Sequence, residues 1–553
     1  MSSDHQESVD AVIVGAGPVG LLLGNYLGAA GLRVVLLEQL PKLIDYPRGV
    51  GMDDECLRAF QAAGLAEAVL PHTTPDQWMR FVNGHGRVFA SIEPKTDDYG
   101  WSRRNAFVQP LVDKVLAAGL ERFPNVELRL GATVAGFAED GQGVSIDAVD
   151  EQGKTSSLRA RYMVGCDGGR SSVRRALDIP FEGDTDSNRW IVVDIANDPI
   201  GRPNAYLHAD PARPYVSIAL PHGIRRFEFM LFPGEGDEKS NEVPRHILDQ
   251  MLAKVLPDPS GIDLIRARVY THNARIARSF RKGRVLIAGD AAHIMPVWQG
   301  QGYNSGIRDA ANLGWKLACV AKGLCGDGLL DSYESERREH AKAMIDLSVT
   351  AGKIFAARNP VAVWARDAFT RIANLYPPVR RYFLEMRFKP MPRYKAGALD
   401  YGAAGFSAGS WVGRMFIQPR VATADGQVRR LDDVVGPGFA VIAWGVDPTR
   451  WLNEESRRII GHFGMKIITA VPMTQLAHEA AAYAGATVVG DQQGRLKEWF
   501  GKQPDGIVVL RPDRFIAATW VPQQINRGLS RLAASLNMIP AAPADPAPAS
   551  PVA

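Results

Sequence analysis

Residues 11–20 read Ala11-Val12-Ile13-Val14-Gly15-Ala16-Gly17-Pro18-Val19-Gly20. Four apolar residues in a row suit a short strand buried on both faces. The glycines that follow have separate tasks. Gly15 allows a tight turn, Gly17 lets the backbone approach a pyrophosphate, and Gly20 lets helix and strand pack closely. Val19, Leu22, Leu23, Tyr26 and Leu27 then recur at helical spacing. Gly31 ends that helix, and residues 33–37 supply a second apolar strand. A strand–helix–strand unit of this kind needs a parallel sheet and a right-handed crossover. Its helix N-terminus offers free N–H groups to phosphates, which makes Gly15, Gly17, Pro18, Val19 and Gly20 candidate dinucleotide contacts. Glu38, with Gln39 beside it, ends the second strand, where a carboxylate accepts hydrogen bonds from a ribose.

That unit does not separate one dinucleotide from another. A second stretch does: Val285-Leu286-Ile287-Ala288 leads into Gly289-Asp290-Ala291-Ala292-His293-Ile294-Met295-Pro296, and then Gly300-Gln301-Gly302-Tyr303-Asn304. The first four residues predict a buried strand ending at Gly289 and Asp290. Asp290 suits ribityl or ribose hydroxyls, and its plainer reading is a helix N-cap. The loop runs into a helix near Ser305. Gly302, Tyr303 and Asn304 at its start suit the N1–C2 edge of an isoalloxazine, which is negative when reduced. Together the two stretches read as a flavin held at both ends. A third element is Cys166-Asp167-Gly168-Gly169-Arg170-Ser171-Ser172-Val173-Arg174, after the apolar residues 162–164. Asp167 and Gly168 suit a turn, and Arg174 suits a phosphate or carboxylate. A plain turn with surface arginines is the alternative.

The rest of the chain bounds these readings. Its 553 residues allow roughly three or four domains. The net charge of +4, from 64 basic and 60 acidic residues, gives no argument for nucleic acid or membrane. The polar, acidic start lacks the pattern of a signal peptide. No apolar run reaches the ~18 residues of a membrane helix. Cys56, Cys166, Cys319 and Cys325 form no CxxC pair and no zinc spacing. The expectation is a cytoplasmic protein with a small-molecule partner and no structural metal. Residues 190–195, 215–220 and 227–231 predict short strands of an inserted mixed sheet that walls a substrate cavity. Residues 305–350 look helical. Residues 439–444, 466–471 and 506–510 predict strands of a separate small α/β domain, and the Ala- and Pro-rich tail from 540 cannot build a core.

The three motifs, in this order, resemble the group A flavoprotein aromatic hydroxylases. The match runs through Gly15, Gly17, Gly20, Glu38, Asp167, Gly168, Ser171, Val173, Arg174, Gly289, Asp290, Ala291, Ala292, His293, Pro296, Gly300, Gly302 and Asn304. Val297 departs from it, since many members have a second Pro there. Longer passages are similar to the phenylpropanoid-hydroxylating branch. They include Asp45-Tyr46-Pro47-Arg48, Arg104-Asn105-Ala106-Phe107, Tyr270-Thr271-His272-Asn273-Ala274-Arg275, residues 295–306 and Arg511-Pro512-Asp513-Arg514-Phe515.

The resemblance implies an α/β fold with a discontinuous Rossmann-like FAD domain of the glutathione-reductase type, at 1–182 and 279–350. It implies a substrate sheet at 183–278, a helical connection at 351–400 and a thioredoxin-like domain at 401–539. That last stretch contains no cysteine, so a packing role is favoured over dithiol chemistry. It further implies bound FAD, transient NADH (NADPH is the alternative) and dioxygen. The implied reaction is ortho-hydroxylation of 3-(3-hydroxyphenyl)propionate, and of 3-hydroxycinnamate, through a flavin C4a-hydroperoxide. Another phenol or a polyketide ring is the alternative substrate. Arg48 and Gln109 join the cofactor set by the same analogy, with Asp167. Pro296 is matched to a backbone carbonyl near the reacting edge, and His293 and Tyr270 are candidate acid–base groups. Tyr270, Trp298, Arg189 and Arg226 are candidate substrate contacts, with Arg225 as a further cation. A homodimer is an added expectation.

Overall fold

In a computed structural model of the chain, the apolar run at 11–14 lies in the strand Glu7–Val14. The structure describes residues 7–46, 48–236, 242–403, 405–483, 485–503 and 505–540. Pro47 and the tail from 541, on which part of the sequence reading rested, lie outside them. Glu7–Val14 pairs in parallel with Val34–Glu38 on one side and Thr155–Gly165 on the other. Val126–Leu130 and Val285–Ile287 extend this parallel sheet in opposite directions. Parallel strands are covered on both faces, which explains the unbroken apolar runs. The helix Pro18–Ala29 starts with proline in its first turn, where the missing N–H is no loss. Asn25 donates to the carbonyl of Leu116, tying that helix to Gln109–Leu120.

A second sheet runs in the order His293–Ile294, Asp263–Ala277, Phe181–Ala196, Arg225–Leu231, Tyr215–Ala219, Ala205–Ala209, Met79–Asn83, Val88–Ile92. The predicted insertion at 183–278 supplies its middle. Residues 79–92, assigned from sequence to the flavin domain, form one edge, through parallel pairing of Met79–Asn83 with Ala205–Ala209. His293–Ile294 forms the other edge. The two faces differ. Ile191, Val193, Phe227, Phe229 and Leu231 pack with the helix residues Leu248, Met251 and Leu252. Trp190 and Met230, on the opposite face, share a core with Trp298, Phe355, Ala106 and Val108. The helical stretch beyond is broken into Gly302–Ala321 and Asp331–Phe355, followed by Pro360–Leu375 and Pro377–Leu384.

The chain divides into two compact units: 1–314 with 336–392, and 315–335 with 393–553. The second holds a sheet ordered Val428–Arg430, Arg420–Thr423, Thr487–Asp491, Lys466–Pro472, Ala440–Trp444, Ile507–Leu510, Ile516–Trp520. Its three middle strands are parallel and the last two antiparallel. The Arg511 and Asp513 side chains of the RPDRF passage pair with each other inside this unit, and Arg514 binds Asp432. The cysteine-free stretch 401–539 shares its unit with residues 315–335, which carry Cys319 and Cys325. Among the described residues no helix is long and apolar enough to cross a membrane. No group of three or more His, Cys, Asp or Glu residues is placed to hold a metal ion among them.

Candidate active site

The two glycine motifs interlock. A Cβ on Gly289 would stand 2.8 Å from Val19 Cγ2, and one on Gly306 would stand 2.7 Å from the same atom. Val19 is therefore gripped between the downstream motif and the helix that follows it. Gly289 has φ +62, a conformation only glycine adopts without strain. Within the first motif, a Cβ on Gly20 would lie 2.1 Å from the carbonyl oxygen of Gly15. Gly20 is thus a packing glycine. A Cβ on Gly17 would meet nothing within 4 Å, so its open face is available to a ligand. Glu38 accepts from the N–H of Ala16 at 2.8 Å and of Leu40 at 3.0 Å, one per oxygen. Each carboxylate oxygen retains a lone pair for a ribose hydroxyl. Gln39 follows, exposed.

At the other end, Arg48 Nη2 meets Asp290 Oδ2 at 3.2 Å. Gln109 Oε1 accepts from the N–H groups of Arg48 and Gly49, at 3.2 and 2.6 Å. Its Nε2 donates to Asp113 at 3.1 Å, which fixes which way the amide faces. Burial pushes the Asp113 carboxyl up to about 7. The helix Gly302–Ala321 begins beside this loop, and its first backbone N–H groups have no intrahelical acceptor. The Tyr303 ring packs on Phe107 at 4.7 Å, and its hydroxyl is buried with no hydrogen-bond partner. Ser305 Oγ is likewise buried and unmatched. An open glycine face at one end, orphaned buried oxygens at the other and a carboxylate at each fit an extended dinucleotide.

Several assigned residues sit elsewhere than expected. His293 is fully buried, with Nε2 held at 2.7 Å by Asp309. Asp309 also accepts from Arg337 at 2.8 Å and from the Gly289 N–H at 3.0 Å. Burial alone would raise the Asp309 carboxyl, but His293 and Arg337 outweigh it and hold it at about 2. In this arrangement the ring props up the 289–293 turn through Asp309, which is a structural role. Asp167 accepts from Ser171 Oγ and from the N–H groups of Ser172 and Val173. It caps the following short helix. Arg174 is buried, donating to the carbonyls of Ala291 and Gly169 rather than to an anion. The Asn304 side chain is occupied by the Asp53 and Cys56 donors and the Gly51 and Gly300 carbonyls. Its contribution to a ligand is left to its backbone.

Pro296 is buried at the head of the 3₁₀ turn Val297–Gln299. Gly300 closes that turn at φ +61. The turn throws Trp298 across to the second sheet, where its ring lies 4.9 Å edge-on to Trp190 and 4.9 Å from His272. Tyr270 is beside them and donates to Glu228 at 2.9 Å. Burial, reinforced by Glu228, pushes the Tyr270 phenol well up. Burial depresses His272 to about 4, so the ring is neutral near pH 7. Of the two cations proposed for a substrate carboxylate, Arg226 shares this face, 3.9 Å from the Glu228 that accepts from Tyr270. Arg226 is 2 % exposed and binds both oxygens of Asp194, at 2.8 and 2.9 Å. Arg189 precedes Trp190 on its strand, so it points to the opposite face. Arg225 is held by Asp198 and Ser217. Sequence reasoning missed Asp309, Arg337, Glu228 and Trp190, because none lies in a glycine motif.

The fold and this arrangement define a flavoprotein monooxygenase. A family model described as FAD binding domain matches residues 8–348, and one described as HcaD C-terminal domain matches 413–535. The chain belongs to this FAD-binding family of flavin-dependent hydroxylases, and FAD is its cofactor. It is 54 % identical to the 3-(3-hydroxy-phenyl)propionate/3-hydroxycinnamic acid hydroxylase of Paraburkholderia xenovorans (strain LB400), covering 97 % of this chain and 92 % of that one. The enzyme of the same name from Klebsiella pneumoniae (strain 342) is 53 % identical, with 96 % of each covered. Among solved structures, the flavin-dependent monooxygenase PieE in complex with FAD and substrate superposes with a TM-score of 0.80 at 22 % identity. It covers 96 % of this chain and 99 % of that one, and speaks for the fold. The p-nitrophenol 4-monooxygenase PnpA of Pseudomonas putida DLL-E4 gives 0.64 at 27 % identity over 69 % of this chain and 98 % of its own.

Proposed function

We propose that this chain hydroxylates 3-(3-hydroxyphenyl)propionate, and 3-hydroxycinnamate, ortho to the phenolic group to give the 2,3-dihydroxy product. NADH and dioxygen are the co-substrates. One observation carries the reading: the loop that starts at Pro296 and ends at the Gly302 helix also places Trp298 against Trp190 and His272. The cofactor loop is thereby one wall of an aromatic cluster, where a phenyl ring is held beside the cofactor.

Bound FAD would supply the redox chemistry, with hydride drawn from NADH, one oxygen atom of dioxygen placed on the ring and the other released as water. The chain supplies position and exclusion of water. The turn at Gly17, Pro18 and Val19, held by the packing of Gly20, would cradle the pyrophosphate, and Glu38 would take the ribose. Arg48, Gln109 and Asp290 hold the middle of the cofactor. The N–H groups of Gly302, Tyr303 and Asn304 would hold its electron-rich edge, and the Pro296 carbonyl would border its reacting side. Tyr270 donates its hydrogen bond to Glu228, so its oxygen retains lone pairs to accept from the substrate phenol. Trp298, in edge-on contact with Trp190, forms one wall against which the ring lies.

The second unit, with three parallel strands followed by an antiparallel pair, is read as a thioredoxin-like domain that packs rather than exchanges electrons. The reading includes a cytoplasmic enzyme, and a homodimer that gel filtration with light scattering would check. The deciding experiment measures oxygen-dependent NADH oxidation with and without 3-(3-hydroxyphenyl)propionate, quantifying catechol and peroxide together. Substrate-stimulated oxidation with catechol formed is the expected result. Stimulation that yields only peroxide, or a larger kcat/KM on another phenol, moves the assignment away from this substrate.

A further inference from the structure

Cys319 lies in the last turns of the helix Gly302–Ala321, half-buried, and Cys325 follows it in the return loop, buried. The N–H groups of Leu324 and Cys325 both point at the Cys319 carbonyl, at 2.9 and 3.3 Å. This folds the loop back and brings the two cysteines side by side. The far side of the loop is also pinned. Gly326 donates to Asn537 at 2.7 Å, Ile539 donates to Leu324 at 3.0 Å, and Cys325 bridges Met538. We propose that Cys319 and Cys325 are a peroxide-responsive modification site, in which Cys319 is the reacting thiol and Cys325 resolves it to an intramolecular disulfide.

The chemistry separates these thiols from the other two cysteines. The Cys325 hydrogen bond, helped by the Lys322 ammonium, lowers the Cys319 thiol below its ordinary value, while its partner is raised. A thiol with some solvent access, a lowered pKa and a second thiol beside it is the arrangement that oxidants select. Cys56 is buried and donates to Asn304, and burial pushes both it and Cys166 up, which holds them as unreactive thiols. In the first step the Cys319 thiolate attacks one oxygen of hydrogen peroxide. The O–O bond breaks, a sulfenic acid forms, and the departing hydroxide takes a proton to become water. In the second step the Cys325 sulfur attacks the Cys319 sulfur. The S–O bond breaks, the S–S bond forms, and hydroxide leaves with the Cys325 proton as a second water. Two thiols are oxidised by two electrons in total and one peroxide is reduced. The step does not depend on which phenol the enzyme takes.

The test treats reduced, full-length, FAD-loaded protein with graded hydrogen peroxide, blocks remaining thiols by alkylation and maps them by mass. Trypsin cuts after Lys322, so the oxidised pair is seen as two peptides joined by a bond that dithiothreitol releases. The joined mass is expected to fall short of the sum by about 2 Da, the two hydrogens removed. Cys319 should be lost at least about tenfold faster than Cys56 or Cys166. In Cys325→Ser, or Cys325→Ala should that hydroxyl unsettle the loop, the joined peptides vanish and Cys319 instead takes a sulfenic-acid probe. Full alkylation of both cysteines after peroxide would overturn the proposal. So would Cys319 driven to sulfinic acid with Cys325 still a thiol, or earlier oxidation of Cys166. The wild-type map alone decides these outcomes if neither variant folds.

Discussion

Arg48 and Asp290 stand 242 positions apart and their side chains meet at 3.2 Å, the guanidinium still 53 % exposed. A solvent-exposed pair of this kind contributes about 0–1 kcal/mol to stability. Its use is therefore positional, as it spans the cradle in which the cofactor lies. Asp290→Ala is expected to weaken FAD binding about tenfold or more, equivalent to about 1.4 kcal/mol. The melting temperature of the apoprotein should barely move. Titration of apoprotein with FAD, followed by flavin fluorescence, measures this, and an unchanged dissociation constant would remove the role.

Gly17 and Gly20 separate ligand space from packing space. At Gly17 an added Cβ meets no protein atom, so Gly17→Ala should fold normally and lose FAD affinity. At Gly20 it meets the Gly15 carbonyl at 2.1 Å. Gly20→Ala should therefore destabilise the protein by about 1–3 kcal/mol in urea, as overpacking does. If the two variants behaved alike, the distinction would be wrong.

His293 is expected to matter for folding rather than for proton transfer. Removing it leaves Asp309 with one fewer donor in a fully buried site. His293→Ala should be destabilised by about 1–3 kcal/mol or more. The fraction that retains FAD should keep its pH–rate profile. A stable, FAD-loaded variant with kcat down a hundredfold would restore His293 to the chemistry.

Tyr270→Phe removes the donor to Glu228 and the oxygen assigned to the phenol. FAD binding should be untouched. Catechol formed per NADH should fall, with kcat lowered by roughly 10²-fold, in the range of a lost acid–base contact. Product yield by chromatography against NADH consumed reads this. Full coupling in the variant would exclude the contact.

Asp113 gives a pH signature. Its carboxyl titrates near 3.8 when unfolded and at about 7 when folded, because burial disfavours the charge. Between those values the native state holds more proton, so this group's contribution falls as pH rises from about 4 to about 7 and stays low above. Asp113→Asn keeps an acceptor for Gln109 and removes the titration. Its stability relative to wild type should therefore grow across that window by about 1–4 kcal/mol, at about 1.4 kcal/mol per pKa unit. Urea unfolding at pH 5 and pH 8 tests this, and a constant difference would mean Asp113 is charged throughout.

Much of this site was legible because its constraints are local. Gly15, Gly17, Gly20 and Glu38 stand out because a turn, a close approach and a strand end each demand a residue type at fixed spacing. Asp290 and the Gly300–Gly302 loop are read in the same way. The edge strand at 79–92 was not, because short alternating strands carry no mark of which sheet they join.

What the sequence determined by itself was the strand–helix–strand cradle, the second flavin motif and the order of the sheets along the chain, since each follows from spacing within about thirty residues. The tertiary structure alone decided which polar groups are satisfied. It turned Arg226 onto Asp194, His293 onto Asp309 and Asp167 onto its own helix, and it set Cys325 beside Cys319 within the C-terminal unit. A charged or polar side chain announces its chemistry in one dimension. Whether that chemistry remains available depends on which partner burial brings to it, and burial is settled only by the packed fold.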